Sequence, residues 1–210
     1  MGKESARFFS TTEKEAIEQA IRRVESGTAG EIVVMVVDTS DDYREAVVAG
    51  AAVFAAFAAF VLSLGLHHET IWFYIPAMFA FFIPGYFLFR TLPRLRMPLV
   101  GRGRSAAAVR ERALRAFFEK GLHRTRDESG ILIFLSLLER KVWILGDRGI
   151  DARIDPGGWK KYADRIVGGI HEGKTAEVLC AVVEEWGGIL RDAFPPRDND
   201  ANELPNHVIT

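Results

Sequence analysis

Cysteine is nearly absent. Cys180 stands alone among 210 residues, so no disulfide can close within the chain, and a reducing compartment is the natural reading. Charge of either sign is not in excess. The formal net charge is -1, which excludes a global field that would draw in nucleic acid or an acidic substrate. The opening stretch MGKESARFFSTTEK lacks the apolar core of a secretory signal, so export of that end is not expected. The most informative absence is local. Ala46 to Leu66 holds no charged residue, and neither does Ile71 to Phe89, although both ends of the chain are dense in Lys, Arg, Asp and Glu.

Each of these runs is about 20 residues, enough at about 1.5 Å per residue to cross a hydrocarbon core of about 30 Å. A soluble domain built from the remaining residues has no core that could hide two adjacent helices apolar on every face. The runs therefore predict a transmembrane helical hairpin over residues 46–92, with His67, His68, Glu69 and Thr70 as its external turn. No ligand besides Glu69 stands near His67 and His68, so these read as solvated turn residues. Trp72 and Tyr74 mark the turn end, where amphipathic rings favour the headgroup level. Pro76 and Pro84 should kink the second helix, and Ala52, Ala56 and Ala59 offer the first a small-residue packing face.

The turn carries no Lys or Arg, whereas RTLPRLRMPLVGRGR beyond the hairpin carries Arg90, Arg94, Arg96, Arg102 and Arg104. The positive-inside rule places this basic linker, residues 93–104, and both termini on the cytoplasmic side of the cell's inner membrane. The arginines lack interleaved aromatics and border the bilayer, so they read as topogenic charge on anionic lipid and not as a nucleic-acid site.

The remainder, residues 1–45 and 105–210, reads as one discontinuous soluble domain. Ser10 and Glu13 form a capping box ahead of Ala16, Ile17, Ala20, Ile21 and Val24 at helical spacing. Glu31 to Val37 is a strand apolar on both faces, as in a sheet covered on both sides. One helix and one strand cannot form a core, so their partners must lie beyond the hairpin. Ser105 is expected to cap a helix carrying Val109, Ala113 and Phe117. GILIFLSLLERKVWILGD reads as two strands about a turn near Glu139, Arg140 and Lys141. Helices follow at Trp159 to Ile170 and from a Thr175 cap to Leu190, stopped by Pro195 and Pro196. The polar tail PRDNDANELPNHVIT should pack as a loop or extended strand. Fold class is α/β, an α/β/α sandwich interrupted by the hairpin.

FFSTTEKEAIEQAIRRVESGTAGEIVV resembles the opening of TPM-domain proteins, and so do KGLHRTRDESGILIFLSLLERKVWILGDRGID, AFPP and NELP in the second half. The resemblance covers about residues 8–40 and 105–205, and the hairpin is its departure. It implies an α/β/α sandwich with a small mixed sheet. It also implies a phosphatase label, divalent-ion binding in some members and membrane-complex maintenance in plastid ones.

If the two strands pair about residue 139, TRDES before the first and GDRGID after the second meet at one sheet edge. That gathers Asp127, Glu128, Asp147 and Asp151, oxygen ligands suited to Ca²⁺ or Mg²⁺. The competing reading is that Asp127 and Asp147 cap turns and helix starts, with Gly146 and Gly149 supplying tight backbone. Other phosphatase chemistries lack their parts. A cysteine phosphatase needs Arg six residues after its Cys, and Trp186 stands there. Ser40 occupies the acid/base position that an Asp38 nucleophile would need, GRGRS has no P-loop Lys, and His123 and His171 are isolated. The leading expectation is a membrane-bound interaction or assembly module whose partners are the lipid bilayer and another membrane protein or complex. The alternative is a metal-dependent phosphatase at the membrane surface, with the ion activating water.

Overall fold

Residues 32–37 are apolar at every second and every intervening position, which requires cover on both faces of a sheet. The computed structural model, which describes residues 3–67, 70–152, 156–196 and 207–210, shows that cover. The chain divides into two compact units, residues 1–40 with 106–210, and residues 41–105.

In the first unit a short helix α1 (Lys3–Phe8) precedes α2 (Thr11–Glu25) and strand β1 (Glu31–Val37). The capping box forms: Ser10 Oγ accepts the Glu13 N–H at 3.2 Å, and the Glu13 carboxylate accepts the Ser10 N–H at 2.8 Å. These bonds hold the Glu13 carboxyl below its ordinary pKa. β1 pairs in parallel with β2 (Gly130–Ser136), and β2 pairs antiparallel with β3 (Lys141–Gly146). The sheet order is β1-β2-β3. A parallel pair needs a long crossover, and here the whole stretch between residues 37 and 130 supplies it. From the tail, Ile209 makes a parallel bridge to Met35, while residues 197–206, including NELP up to Pro205, lie outside the described residues.

The alternation of the strands sorts the core into two layers. Ile32, Val34, Ile131, Ile133, Val142 and Ile144 pack with Ile17 and Ile21 of α2, Ile166 of α8 (Pro156–Glu172) and Trp186 of α9 (Thr175–Ala193). Val33, Met35, Leu132 and Phe134 pack with Val109, Ala113 and Phe117 of α6 (Arg102–Glu119). The α/β/α arrangement follows. Two expected caps are corrected. Helix α6 begins at Arg102, so Ser105 lies in its first turn and donates its hydroxyl to the Arg102 carbonyl at 3.0 Å. Thr175 is the first residue of α9, behind Lys174, which makes no side-chain cap bond.

At the far end of the sheet, Glu139 is 7% exposed and ties the β2–β3 turn to the residues after β1. Its carboxylate accepts the Ser40 N–H at 3.0 Å and the Thr39 hydroxyl at 3.2 Å, and it also accepts the Ser136 hydroxyl. Glu139→Ala would leave several buried donors without an acceptor. We expect a loss of about 2–3 kcal/mol in urea unfolding, with Glu139→Gln losing less because it keeps an acceptor oxygen.

The second unit contains α3 (Arg44–Gly65) and α4 (Ile71–Thr91), followed by a short α5 (Pro93–Arg96). Both long helices are long and apolar enough to cross a membrane. Pro76 and Pro84 lie inside α4. The small-residue face of α3 is Ala51, Ala55 and Ala59, all fully buried, so the expected Ala52 and Ala56 are corrected by one position. The reason is Gly85, where an added Cβ would lie 2.8 Å from the Phe54 ring and 3.3 Å from the Ala51 carbonyl oxygen. Tyr74 is not free for the headgroup level alone, because its hydroxyl donates to the Ala56 carbonyl at 3.2 Å. Away from this seam Phe57, Phe79, Ile83 and Trp72 are exposed, Trp72 by 82%. His67 is exposed with φ 53°, and His68 and Glu69 lie outside the described residues.

The two ends of the second unit are joined. The Arg104 guanidinium bonds the Asp41 carboxylate, reaches Glu45 at 3.2 Å and lies 5.5 Å over the Tyr43 ring. Burial raises the Asp41 carboxyl, but Arg104 and the Tyr43 and Asp42 amides outweigh it and hold it below its ordinary value. With the folded value depressed, this pair stabilises above the unfolded Asp range and stops doing so as pH falls through the folded value.

Candidate functional site

The antiparallel register places Ile131 opposite Gly146, and the Asp147 N–H donates to the Gly130 carbonyl at 2.9 Å. The segments before β2 and after β3 therefore lie side by side. They touch through backbone: the Gly149 N–H donates to the Glu128 carbonyl at 3.1 Å. A Cβ on Gly149 would stand 2.8 Å from both the Asp127 and Glu128 carbonyl oxygens, so only glycine permits this approach.

The four carboxylates take different roles there. Asp147 is the N-cap of α7 (Arg148–Asp151), with Oδ1 accepting the Arg148 N–H at 2.8 Å. Its Oδ2 is buried and has no hydrogen-bond partner among the described residues. Asp151 Oδ1 accepts the Trp159 indole N–H at 3.1 Å. Glu128 is exposed and sits in left-handed backbone with φ 52°, and Asp127 is half-buried. Among the described residues no group of three or more His, Cys, Asp or Glu is arranged to hold a metal ion.

The other residues weighed for chemistry are placed structurally. Cys180 lies on α9 and packs against the core, and burial pushes its thiol up, the opposite of an activated nucleophile. Asp38 Oδ1 accepts the Ser5 N–H at 2.6 Å and anchors α1. His123 lies against the Phe118 ring, with centroids 4.9 Å apart, and His171 is exposed.

What residue spacing does not reveal is a groove of about 800 Å³ along β3. Its floor is β3 itself, one wall comes from α6 at Ala106 and Arg110, and the other from α8 at Trp159, Ala163 and Val167. Trp159 is held there by Trp186, whose ring stands edge-on to it at 5.4 Å and edge-on to Tyr162 at the same distance. Tyr162 in turn bonds Glu185, which Arg165 and Tyr162 together hold below the ordinary carboxylate range. The groove joins residues far apart in sequence, so the local signal available was the basic turn Arg140-Lys141 and the tryptophans around it.

A three-stranded mixed sheet between helical layers, with an apolar helical pair in a separate unit, defines the class as an α/β/α domain joined to two candidate membrane spans. A family model described as the TPM domain, and labelled TPM phosphatase, matches residues 91–188 of the chain. The NMR structure of the BA42 protein from the psychrophilic bacterium Bizionia argentinensis is similar, with a TM-score of 0.59 and 21% sequence identity. That likeness covers 96% of this chain and 94% of the other, and it shows the fold. No curated protein matches the chain.

Proposed function

We propose that this protein is a membrane-tethered interaction or assembly module. In this reading α3 and α4 span the cell's inner membrane, and residues 1–45 and 105–210 form one cytoplasmic domain, joined to the spans by the basic linker 93–104. The domain docks on another membrane protein or complex. The observation that supports it most is the groove along β3, a built concavity whose lining among the described residues includes no Ser, Thr, Cys or His. The exposed outer faces of α3 and α4 support the tether, since a soluble core would have to cover them.

The test is affinity recovery of the full chain from membranes beside a phosphatase assay on the same sample, each with and without chelator. Recovery of one stoichiometric membrane partner without chelator-sensitive phosphate release supports this reading. Chelator-sensitive turnover would replace it.

The second reading is a cation-dependent phosphatase, and one observation favours it: Asp147 Oδ2, buried without a partner among the described residues, two positions before the Gly149 that packs on the Asp127–Glu128 backbone. Ca²⁺ or Mg²⁺ held by Asp127, Glu128, Asp147 and Asp151 would be bound only by the folded state and would raise the melting temperature. Asp147→Asn would then abolish that rise and relieve repulsion in the empty site. As a cap alone, Asp147 predicts a melting temperature unmoved by either ion and a loss of about 1 kcal/mol on Asp147→Ala. Thermal unfolding with and without each ion separates the two.

A further inference from the structure

Among the described residues β3 is an edge strand, paired with β2 and with no strand on its other side. Because the Asp147 N–H bonds Gly130, the residue pairs two apart, Leu145 with Leu132 and Trp143 with Phe134, exchange the ladder bonds. Val142 and Ile144 fall between them, so their N–H and C=O groups point away from β2 and into the groove that β3 floors. Among the described residues they have no backbone partner outside the sheet. Both residues pack in the core layer shared with α2, α8 and α9 and are 7% exposed, backbone included, so the strand is held in place without an occupant. The Trp143 indole Nε1–H is also buried without an acceptor among the described residues.

The charges say what fits. Arg110, Arg140, Lys141 and Lys160 line the groove against Asp151 and Asp164, four basic groups against two acidic. Lys160 pairs with Asp164 at 2.7 Å, and Asp151 receives the Trp159 indole N–H. Among the described residues Arg110, Arg140 and Lys141 have no ion pair. Basic side chains on an edge discourage pairing with a second copy, because two net-positive grooves would meet.

We infer that the groove binds an extended, acidic segment of a partner protein, which adds to the sheet as a fourth strand beside β3. Main-chain bonds to Val142 and Ile144 supply the strand geometry, and the arginine and lysine side chains select acidic residues along it. This rests on the interaction-module reading and names the chemistry of the partner.

The test uses the full chain in detergent micelles and a fluorescein-labelled peptide, Glu-Val-Glu-Thr-Glu-Val-Glu, read by anisotropy. The comparators are the same peptide with Lys for Glu, and the acidic peptide N-methylated at every residue. The acidic peptide should bind, and binding should weaken as salt rises. N-methylation and the Arg110→Glu/Lys141→Glu double variant should each weaken it about tenfold or more, and that variant should bind the Lys peptide instead. The gained binding shows that the variant is folded. Equal binding of the acidic and Lys peptides, indifference to N-methylation, or no binding of the acidic peptide would overturn the proposal. So would concentration-dependent dimerisation that blocks the groove, which would assign the edge to a second copy. If a membrane partner is still recovered while the peptide fails, only the groove assignment falls. If neither is found, the interaction reading falls with it.

Discussion

Removing residues 46–92 and joining the ends with a short Gly/Ser linker should yield a soluble, cooperatively folding domain. The two ends already stand together, because Arg104 reaches both Asp41 and Glu45. Among the described residues the sheet and both core layers draw on residues 8–37, 109–194 and the tail, with none from α3 or α4. The deletion also removes exposed apolar side chains such as Phe57, Trp72 and Phe79, which water does not solvate favourably. The far-UV circular dichroism of the shortened chain should show mixed helix and strand with a single melting transition, and sedimentation should move it from the membrane pellet to the supernatant. An unfolded spectrum would show that the sheet depends on the helical pair.

Trp186→Ala should be among the most destabilising single changes in the domain. Trp186 is fully buried and joins α9 to α8 through edge-on contacts with Trp159 and Tyr162. Truncating a buried tryptophan costs about 3–5 kcal/mol through lost transfer free energy and the cavity left behind. A domain of this size has about 5–15 kcal/mol in total, so the variant should unfold at markedly lower denaturant. Trp186→Phe keeps one aromatic contact and should recover much of the loss. Trp186→Ala also removes the ring against which Trp159 stands, so the groove wall should loosen, visible as faster quenching of the tryptophan fluorescence than in Trp186→Phe. A loss below about 1 kcal/mol would mean that α8 is held by something other than this cluster.

The parts of the fold that were legible in the sequence are those decided locally. Ser10 and Glu13 carry a two-way capping signature within four residues, and it formed as read. β1 is apolar on both faces, which is enough to require helices on both sides. The errors arise where several local solutions are equally good. Arg102, Gly103 and Arg104 can continue a helix backwards, so the serine after them looked like a cap but lies inside it. Within the alanine-rich α3 every phase offers a small face, and only the approach of Gly85 selects Ala51, Ala55 and Ala59.

The candidate site was legible to the same extent. Strand pairing alone brings the Asp127–Glu128 segment beside Asp147 and Gly149, and a hairpin register can be read from sequence. How each carboxylate is used could not be read, because capping and ligation call on the same residue types. The groove along β3 was invisible for another reason. Arg110, Lys141 and Trp159 share no pattern, and only the order of strands brings them to one edge.

The central claim is that the two apolar helices tether this domain to the inner face of a membrane. Its most direct test starts from a Cys180→Ser background with a single cysteine placed either at the exposed turn, His67→Cys, or at the tail, Thr210→Cys. Intact cells are treated with a membrane-impermeant thiol reagent, and labelling is repeated after lysis. The account predicts labelling at 67 on intact cells, with labelling at 210 only after lysis. Labelling at 210 on intact cells, or none at 67, would contradict it.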